Sequence, residues 1–556
     1  MILLFLGSFL LSRCHTTKQM ATEKPVPVEE PVTIQEDLDT LTVSADASAP
    51  AIPNDLPLYR ATYTRTADLI HTKLDVRFDW EKQYVIGKAY LDFTALFDPI
   101  DQVTLDAKNF DLNSVELNNQ SVRYDYDGEQ MIIHLDKPYG RTDTFHLAFD
   151  YIAKPNEGEQ GGSAAINSDK GLYFINPSGK KNKPQQIWTQ GETESNSRWF
   201  PTIDKPNERC TEEVYITVQD KFVTLSNGIK VSSENHADGT RTDYWRMDMP
   251  NPPYLFMLAV GDFAVVSDTW SGIPVQYYVE HEYEPYAREI FNHTPEMLEF
   301  FSNLTGIHYP WPKFDQIIVR DYVSGAMENT TAVVFGDFIQ KNDRELADEN
   351  NDYIVAHEMF HHWFGDYVTC ESWSNLTLNE GFANYAEYLW NEHQYGGDEA
   401  DFSRINEING YLNQMSMGGG HNLIDFTYAD REDMFDAHSY NKGGLVLHML
   451  RRYLGDDVFF AGLHKYLTEH ALQSVEAHDL RLAMEAVSGQ DLNWFFNQWF
   501  FNQGHPVLSI DKSYDAVNHM VNLEVEQIQD PQASPAIFKL PVTVDIYDAN
   551  GMAKRH

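Results

Sequence analysis

Histidine and glutamate residues near the middle of the chain have the spacing of a metal site. His357, Glu358 and His361 lie in the stretch D-Y-I-V-A-H-E-M-F-H-H-W-F-G-D, residues 352–366. In an α-helix, residues four apart share one face, so the two imidazoles can bind one Zn²⁺ ion at about 2.0–2.1 Å each. Glu358 lies about 100° round the helix, where it can take a proton from water that the metal activates. The pattern predicts metal-assisted hydrolysis.

A second glutamate supplies the third ligand that a catalytic zinc requires. The H-E-x-x-H pattern alone arises by chance in roughly one chain in twenty of this length and composition, so it needs support. Glu380 lies nineteen residues after His361, in L-T-L-N-E-G-F-A-N-Y-A-E, residues 376–387. This stretch predicts a second helix, packed antiparallel to the first, and a His₂Glu set for one Zn²⁺ per chain. Glu387, seven residues further on, either hydrogen-bonds a ligand imidazole or is a solvated helix residue.

The patterns around these residues predict a multidomain α+β protein. Apolar residues alternate with polar ones, as in Leu74, Val76, Phe78 and Trp80, which predicts strands. Further along, apolar residues recur at three- and four-residue spacing, which predicts helices. The predicted helical runs are residues 284–303, 352–364, 379–394 and 443–453. The predicted boundaries are residues 56–262 for an N-terminal β-rich domain, 263–505 for a helical catalytic domain and 506–556 for a C-terminal β segment that we expect to be incomplete.

Composition excludes several classes of protein. The chain has 556 residues, with 84 Asp and Glu against 41 Lys and Arg, and a formal net charge of −43. This acidity argues against partners with a phosphate backbone and against docking on anionic lipid. A hydrophobic fraction of 42% is that of a folded protein. The three cysteines, Cys14, Cys210 and Cys370, are too few for a disulfide scaffold or a thiolate zinc site.

The N-terminal residues predict an export signal. Residues 1–11 are apolar but too short to span a bilayer, as in the core of a secretory signal. Cys14 follows in L-S-R-C, which resembles a bacterial lipoprotein cleavage box, although Arg13 stands where that pattern has a small residue. The alternatives are a lipid anchor at Cys14, the one predicted membrane contact, and an ordinary signal peptide cut nearby. We expect residues 1–13 to be a signal-like segment, residues 14–55 a disordered tether, and the protein to reach the bacterial cell envelope.

Further motifs give the chain a specific resemblance. G-A-M-E-N covers residues 325–329 and S-Y-N-K-G covers residues 439–443. Two more are T-Q-G-E-T-E-S-N-S-R-W-F-P-T-I-D at residues 189–204 and W-F-F-N-Q-G-H-P-V at residues 499–507. With the His₂Glu set, they resemble the aminopeptidase N and leukotriene hydrolase family of gluzincin zinc aminopeptidases, here a bacterial, exported member. The resemblance covers about residues 60–550 and implies a saddle-like N-terminal β domain, a thermolysin-like catalytic domain and the start of a C-terminal β-sandwich.

The resemblance also implies a role for each motif. Glu328 anchors the cationic α-amino group of a peptide substrate, and Glu192 supplies a second carboxylate from the N-terminal domain. The substrate-binding residues implied in full are Glu192, Gly325, Ala326, Met327, Glu328 and Asn329. Glu358 is the general base, and the Tyr440 hydroxyl stabilises the oxyanion. The expected function is hydrolysis of the N-terminal peptide bond of peptides with a free amine.

Three other functions fit the same residues. One is a zinc endopeptidase, which would lack selectivity for the free amine. Another is epoxide hydrolysis, which one branch of the family combines with peptidase activity. The third is a non-catalytic peptide-binding scaffold, which we expect to have lost Glu358 or a zinc ligand. Because the full set is present, the scaffold ranks last.

Overall fold

A computed structural model describes residues 4–5, 58–158, 161–163, 165–548 and 550–555. The sequence predictions for residues 1–3 and 6–57, Cys14 included, lie outside the described residues. The chain divides into two compact units, residues 60–540 and residues 1–59 with 541–556. In the smaller unit, three antiparallel strands pair in the order β1-β26-β27. These are β1 (Leu4–Phe5), β26 (Thr543–Tyr547) and β27 (Ala553–Arg555), numbered along the whole chain.

An eight-stranded sheet begins the larger unit, in the order β14-β15-β12-β2-β3-β9-β5-β6. All pairs are antiparallel except β2 with β12. The strands are β2 (Ala67–Asp79), β3 (Tyr84–Ala95), β5 (Phe110–Leu117), β6 (Gln120–Ser121), β9 (Thr144–Ala153), β12 (Cys210–Gln219), β14 (Ile229–Asn235) and β15 (Thr240–Asn251). Leu74 and Val76 of β2 are buried, as period-two patterning requires. Trp80, predicted to continue the alternation, falls just beyond the end of the strand.

Two smaller sheets accompany it. One has the order β4-β8-β7, with β4 (Ile100–Asp106), β7 (Tyr124–Tyr126) and β8 (Gln130–Tyr139). The other has the order β10-β11-β16-β13, with β10 (Leu172–Ile175), β11 (Gln186–Thr189), β13 (Val223–Ser226) and β16 (Leu258–Gly261). All four strands of the second sheet consist mainly of buried residues. The loop that leaves β11 carries Glu192.

The next sheet occupies residues that were predicted to be mainly helical. Its order is β17-β18-β19-β21-β20, with β17 (Ala264–Trp270), β18 (Ile273–Val279), β19 (Phe314–Val319), β20 (Ala326–Met327) and β21 (Ala332–Gly336). The run predicted over residues 284–303 is also broken, into a 3₁₀ turn (His281–Tyr286), α1 (Ala287–Ile290) and α2 (Thr294–Thr305). Pro295 is the second residue of α2, since a proline fits the first turn of a helix but not its interior.

The remaining helices include α4 and α5, which carry the predicted metal residues. They are α3 (Asp343–Asp348), α4 (Asp352–His361), α5 (Thr377–Gln394), α6 (Gly397–Ser416), α7 (Gly443–Leu454), α8 (Asp456–Glu469), α9 (Ala477–Ser488) and α10 (Asn493–Trp499). Helix α4 ends three residues earlier than predicted, because the chain reverses at Gly365, whose φ of +152° favours glycine. The prediction did not include α6, which packs on α5.

Two short sheets complete the larger unit. They are β22 (Val368–Cys370) with β23 (Gln473–Val475), which are parallel, and β24 (Leu508–Asp515) with β25 (Met520–Gln527), which form an antiparallel hairpin. Cys210 and Cys370 are both buried and unpaired. Among the described helices, none is both long and apolar enough to cross a membrane. The multidomain α+β class predicted from the sequence is confirmed.

Candidate metal centre

Helix α4 places the two predicted histidine ligands on one face. Their ring centroids are 5.0 Å apart, one helical turn along the axis. His361 is 1% exposed and Glu358 5% exposed, so both lie inside the protein. Gly365 closes the end of α4 against His361, since a Cβ atom there would stand 3.1 Å from the imidazole Nδ1. The site therefore needs both the helical spacing and the sharp turn after it.

Helix α5 brings Glu380 to the same point. Its Oε2 atom lies 3.3 Å from His357 Nε2 and 3.4 Å from His361 Nε2. One ligand atom from each of the three residues lies within 4.8 Å of the others. The structure thus brings together three residues that are up to 23 positions apart in the sequence. The loop between α4 and α5, which was predicted to let the two helices pack antiparallel, contains the short strand β22.

The outer nitrogen of each imidazole is held by an acceptor. His357 Nδ1 lies 2.9 Å from Glu387 Oε1, and His361 Nδ1 lies 3.1 Å from the carbonyl oxygen of Phe364. Because an ionised carboxylate and a carbonyl only accept, both Nδ1 atoms donate, and both Nε2 atoms face Glu380. Such support is typical of histidines that bind a metal. Once Nε2 of each histidine is deprotonated, as metal binding requires, two imidazoles and one carboxylate, with a fourth position open, fit one Zn²⁺ ion.

Glu387 gives a test of this support. Glu387→Ala is expected to weaken zinc binding by about 10–100-fold, because His357 loses the acceptor that fixes its tautomer and orientation. The measurement is zinc competition against a chromogenic chelator. Glu399→Ala, an exposed glutamate on α6, is the control. Equal zinc affinity in Glu387→Ala and the wild type would show that the 2.9 Å contact is incidental.

Three more buried glutamates surround the ligand set. One carboxylate oxygen from each of Glu192, Glu328 and Glu380 lies within 4.8 Å of the others, and Glu358 groups with Glu328 and His361 in the same way. Glu328 Oε1 is 3.9 Å from His361 Nδ1. Among the described residues, neither Glu192 Oε1 nor Glu328 Oε1 has a hydrogen-bond partner. Two acceptors therefore remain for a cationic group beside the metal ligands.

Burial and mutual repulsion set the charge state of these carboxyls. Burial raises the pKa of Glu192 well above its usual range, and Glu328 adds to the effect. Burial likewise raises the pKa of Glu358 to about 8, against the opposing effect of the two histidines. For Glu380, burial opposes ionisation, yet His361 and His357 lower the pKa to about 2. Without a bound cation the raised pKa values favour the protonated form of Glu192 and Glu358, and a metal ion or an ammonium group bound beside them would favour the ionised form.

The G-A-M-E-N segment forms an edge of the five-stranded sheet. Ala326 pairs with Phe335 and Met327 pairs with Val334, so one side of β20 faces β21. The order of the sheet leaves its other side without a strand among the described residues. The nearest atom to a Cβ built on Gly325 is 3.9 Å away, so the backbone there is open to approach. An extended peptide can add to such an edge.

The Asn329 side chain forms no hydrogen bond with the loop that carries it, among the described residues. Its side chain is buried, but neither polar atom has a hydrogen-bond partner among the described residues. The turn is closed instead by the backbone, since the carbonyl oxygen of Asn329 accepts from Ala332 N at 2.8 Å. His362, the residue after His361, is fully buried. Its Nδ1 donates to the Glu358 carbonyl and its Nε2 accepts from Thr331 N at 3.1 Å, which joins α4 to this loop.

Tyr440 stands over the metal ligands. Its ring is nearly parallel to that of His357, with 5.9 Å between the centroids and 11° between the planes. Burial, with Glu380 as the next contribution, raises the pKa of the phenol well above its usual range, so the hydroxyl is a proton donor at neutral pH. Lys442 is the last residue of a π-helical turn that directly precedes α7.

Close packing of Gly443 against Gly381 sets the distance between helix α5 and the turn that carries Tyr440. A Cβ atom on Gly443 would lie 2.9 Å from the Cα of Gly381, the residue after Glu380. Helices α5 and α7 therefore touch backbone to backbone between Glu380 and Tyr440.

Glu407 of α6, which the sequence analysis did not identify, accepts from Asn384 at 2.9 Å and from Asn441 at 2.7 Å. No motif marks Glu407, and only the fold shows its role.

Comparisons with known proteins agree with this geometry. Residues 68–255 match the model of the peptidase M1 N-terminal domain, and residues 289–499 match that of the peptidase family M1 domain. Together the two matches cover more than half of the chain. The chain belongs to peptidase family M1. The predicted family is thereby confirmed.

Several curated proteins are similar over long stretches. Aminopeptidase M1 of Arabidopsis thaliana is 30% identical over 347 residues, 61% of this chain and 39% of that protein. Aminopeptidase N of Haemophilus influenzae is 27% identical over 516 residues, 89% of this chain and 56% of that protein. Glutamyl aminopeptidase of Bos taurus is 30% identical over 323 residues, 56% of this chain and 34% of that protein. The chain thus spans between about a third and just over half the length of these relatives.

Proposed function

We propose that this protein is a zinc-dependent aminopeptidase that hydrolyses the N-terminal peptide bond of peptides. The observation that carries the proposal is the position of Glu192 and Glu328. Each has one carboxylate oxygen within 4.8 Å of a carboxylate oxygen of Glu380, and the Oε1 atom of each lacks a hydrogen-bond partner among the described residues. Carboxylates so placed bind an α-ammonium group at a fixed short distance from the metal position. The scissile bond is then the first peptide bond.

The protein's own residues perform the proton transfers. A bound Zn²⁺ supplies a Lewis acid that polarises the scissile carbonyl and lowers the pKa of water. Glu358 accepts the proton of the attacking water and returns it to the leaving amine. Its burial beside His357 and His361 keeps the carboxyl away from bulk water, where it would be less effective as a base.

Tyr440 and β20 position the substrate and stabilise the reaction. The protonated phenol donates a hydrogen bond to the oxyanion that forms at the scissile carbonyl. The free edge at Gly325 and Ala326 pairs with the extended backbone of the peptide. Glu192 and Glu328 close the end of this track, which leaves room for only one residue before the scissile bond. An endopeptidase would need that end open.

The names of the relatives support the same reaction. All three relatives described above are named aminopeptidases. We extend the proposal to export to the bacterial cell envelope, on the basis of the apolar residues 1–11 and Cys14 alone. Lipidation of Cys14 belongs to this part of the proposal and is independent of the reaction.

A pair of substrates tests the proposed reaction. An aminoacyl chromogenic amide with a free amine is expected to turn over, while its N-acetylated twin is not, because acetylation removes the charge that Glu192 and Glu328 bind. A chelator is expected to abolish turnover, and added Zn²⁺ to restore it. The measurement is the initial rate of chromophore release for each substrate.

The other outcomes each favour a different function. Equal turnover of the two substrates would contradict the aminopeptidase proposal and favour an endopeptidase. No turnover of either substrate by a zinc-loaded sample would favour the peptide-binding scaffold.

A further inference from the structure

A second group of histidine and acidic residues lies beside Tyr440. His421, Asp436 and His438 each present one ligand-type atom within 4.8 Å of the others, a spacing that would also suit a metal. Asp436 Oδ2, however, accepts from His421 Nε2 at 2.8 Å, from His438 Nδ1 at 2.9 Å and from the side-chain amide of Gln414. The protein's own donors thus saturate this oxygen. The group is a hydrogen-bonded network and not a metal site.

The partners of His421 determine its charge. Its Nε2 faces the Asp436 carboxylate, and its Nδ1 lies 2.6 Å from the carbonyl oxygen of Asn422. Both of these atoms can only accept a hydrogen bond. A neutral imidazole has a single N–H, so it would leave one contact without a proton. The contacts are both satisfied only when His421 is an imidazolium ion.

His438 differs from His421 in its partners. Its Nδ1 donates to Asp436, while its Nε2 accepts from the backbone N–H of His421 at 3.4 Å. One donor and one acceptor make His438 a neutral imidazole with the proton on Nδ1. Burial opposes charge on both histidines, yet the hydrogen bond that His421 donates to Asp436 raises the pKa of His421, whereas the pKa of His438 is lowered. The network therefore contains one cation and one anion.

Asp436 holds the backbone that carries Tyr440. Its Oδ1 accepts from the backbone N–H of His438 at 2.8 Å and of Ser439 at 3.3 Å. Its carbonyl oxygen accepts from the N–H of Tyr440 at 3.1 Å. Three successive amides therefore bind one aspartate. Movement of Asp436 would move the start of the turn and, with it, the Tyr440 ring.

The other polar groups around the network do not form the same contact with Asp436 as His421 does. Asp425 lies close enough to His421 to favour its charged form. Lys442 is buried, has no hydrogen-bond partner among the described residues and lies over the Tyr411 ring, with 5.5 Å from Nζ to the centroid. His505 contacts the Tyr411 hydroxyl at 3.2 Å. Among the described residues, only His421 combines a direct charge-assisted contact with Asp436 and an outward face, 21% exposed.

We propose that His421 and Asp436 form an ion pair that positions Tyr440 over the metal ligands. His421 and Asp436 are positioning residues, because they act on the substrate only through Tyr440. The functional part of this inference rests on the proposed aminopeptidase reaction, whereas the charge of His421 does not. The two parts have separate measurements.

The charge of His421 is measured by NMR of protein with ¹⁵N-labelled histidine. In the zinc-loaded wild type at pH 7, the resonance pair of His421 is expected to show both ring nitrogens protonated. His421→Gln is expected to remove that pair and so to assign it. Asp436→Asn is expected to convert it to a neutral tautomer, because the asparagine amide donates to Nε2. Neutral His421 in the wild type would overturn the proposal.

Positioning is measured by a double-variant cycle on kcat. Tyr440→Phe is expected to lower kcat by about 10²–10³-fold, as for removal of one oxyanion donor. Asp436→Asn is expected to lower kcat by on the order of 10–100-fold, with KM nearly unchanged, since a displaced donor costs rate and not ground-state binding. Asp436→Asn combined with Tyr440→Phe is expected to be no slower than Tyr440→Phe alone, because the ion pair acts through the missing hydroxyl.

The control is Asp125→Asn. It removes a similar carboxylate–imidazole contact, 2.7 Å long, between Asp125 and His134. Both residues lie in the β4-β8-β7 sheet, far in the sequence from the predicted metal ligands. Losses that multiply in the double variant would overturn positioning and indicate general destabilisation. Should the wild type not cleave free-amine substrates, the proposed function fails, and positioning is decided by ¹⁹F NMR of fluorotyrosine-labelled protein. In that case the resonance assigned by Tyr440→Phe is expected to shift in Asp436→Asn and not in Asp125→Asn. An unshifted Tyr440 resonance would overturn the proposal.

Discussion

Glu358→Gln is expected to keep zinc bound and to lose nearly all peptidase activity. Glutamine has the shape of glutamate but cannot accept the proton of the attacking water, so kcat falls by about 10²–10⁴-fold, the usual contribution of a general base. Zinc is retained because the three ligands, His357, His361 and Glu380, are unchanged. The measurements are zinc content by elemental analysis and kcat with the free-amine substrate.

The control for this variant is Glu349→Gln, three residues before α4 and exposed to solvent. It changes the same functional group without touching the metal pocket. If Glu358→Gln retained more than about a tenth of wild-type kcat, Glu358 would not be the base. If it lost zinc, Glu358 would act on the ligand set, and the two measurements separate these outcomes.

Local spacing was sufficient to predict the core of the site. His357 and His361 are four residues apart, and a helix imposes one face on such a pair whatever surrounds it. Glu380 needed one further step, a second helix beside the first, and α5 supplies it. These predictions worked because they depend on helix geometry, which short-range interactions determine.

Contacts between distant segments could not be predicted in the same way. The sheet that contains β17 to β21 was predicted as helical, because its buried strands are short apolar runs without a clear period of two. His421, Asp436 and His438 carry no motif, and their hydrogen bonds exist only because a loop returns over α6. The charge of His421 follows from two acceptor atoms whose positions depend on that loop.

The proposed ammonium site at Glu192 and Glu328 could be predicted from the sequence only in part. Glu192 and Glu328 are 136 positions apart, and no spacing rule brings them together. A resemblance of motifs suggested both, and the structure places both beside Glu380. Their burial and orphaned oxygens are properties of the folded chain alone. Physical evidence for an ammonium site therefore comes from the structure, while the sequence only suggested where to look.

Glu328→Gln is expected to remove most of the selectivity for free amines. The variant keeps the shape of the side chain but lacks the negative charge that faces the ammonium group. For free-amine substrates, kcat/KM is expected to fall by roughly 10²–10³-fold, which is about 3–4 kcal/mol, in the range for losing one partner of a desolvated ion pair. The N-acetylated twin has no charge to lose, and because the wild type is expected not to cleave it, the variant is expected to show no loss with this substrate.

Zinc content separates this role from damage to the metal site, because loss of the ammonium contact lowers kcat/KM for the free amine without loss of zinc. Glu296→Gln, an exposed glutamate on α2, is the control. Because Glu192 shares the same space, Glu192→Gln combined with Glu328→Gln is expected to cost less than the product of the single losses. Full multiplication would mean that the two carboxylates bind different groups, and the ammonium site would then reduce to one of them.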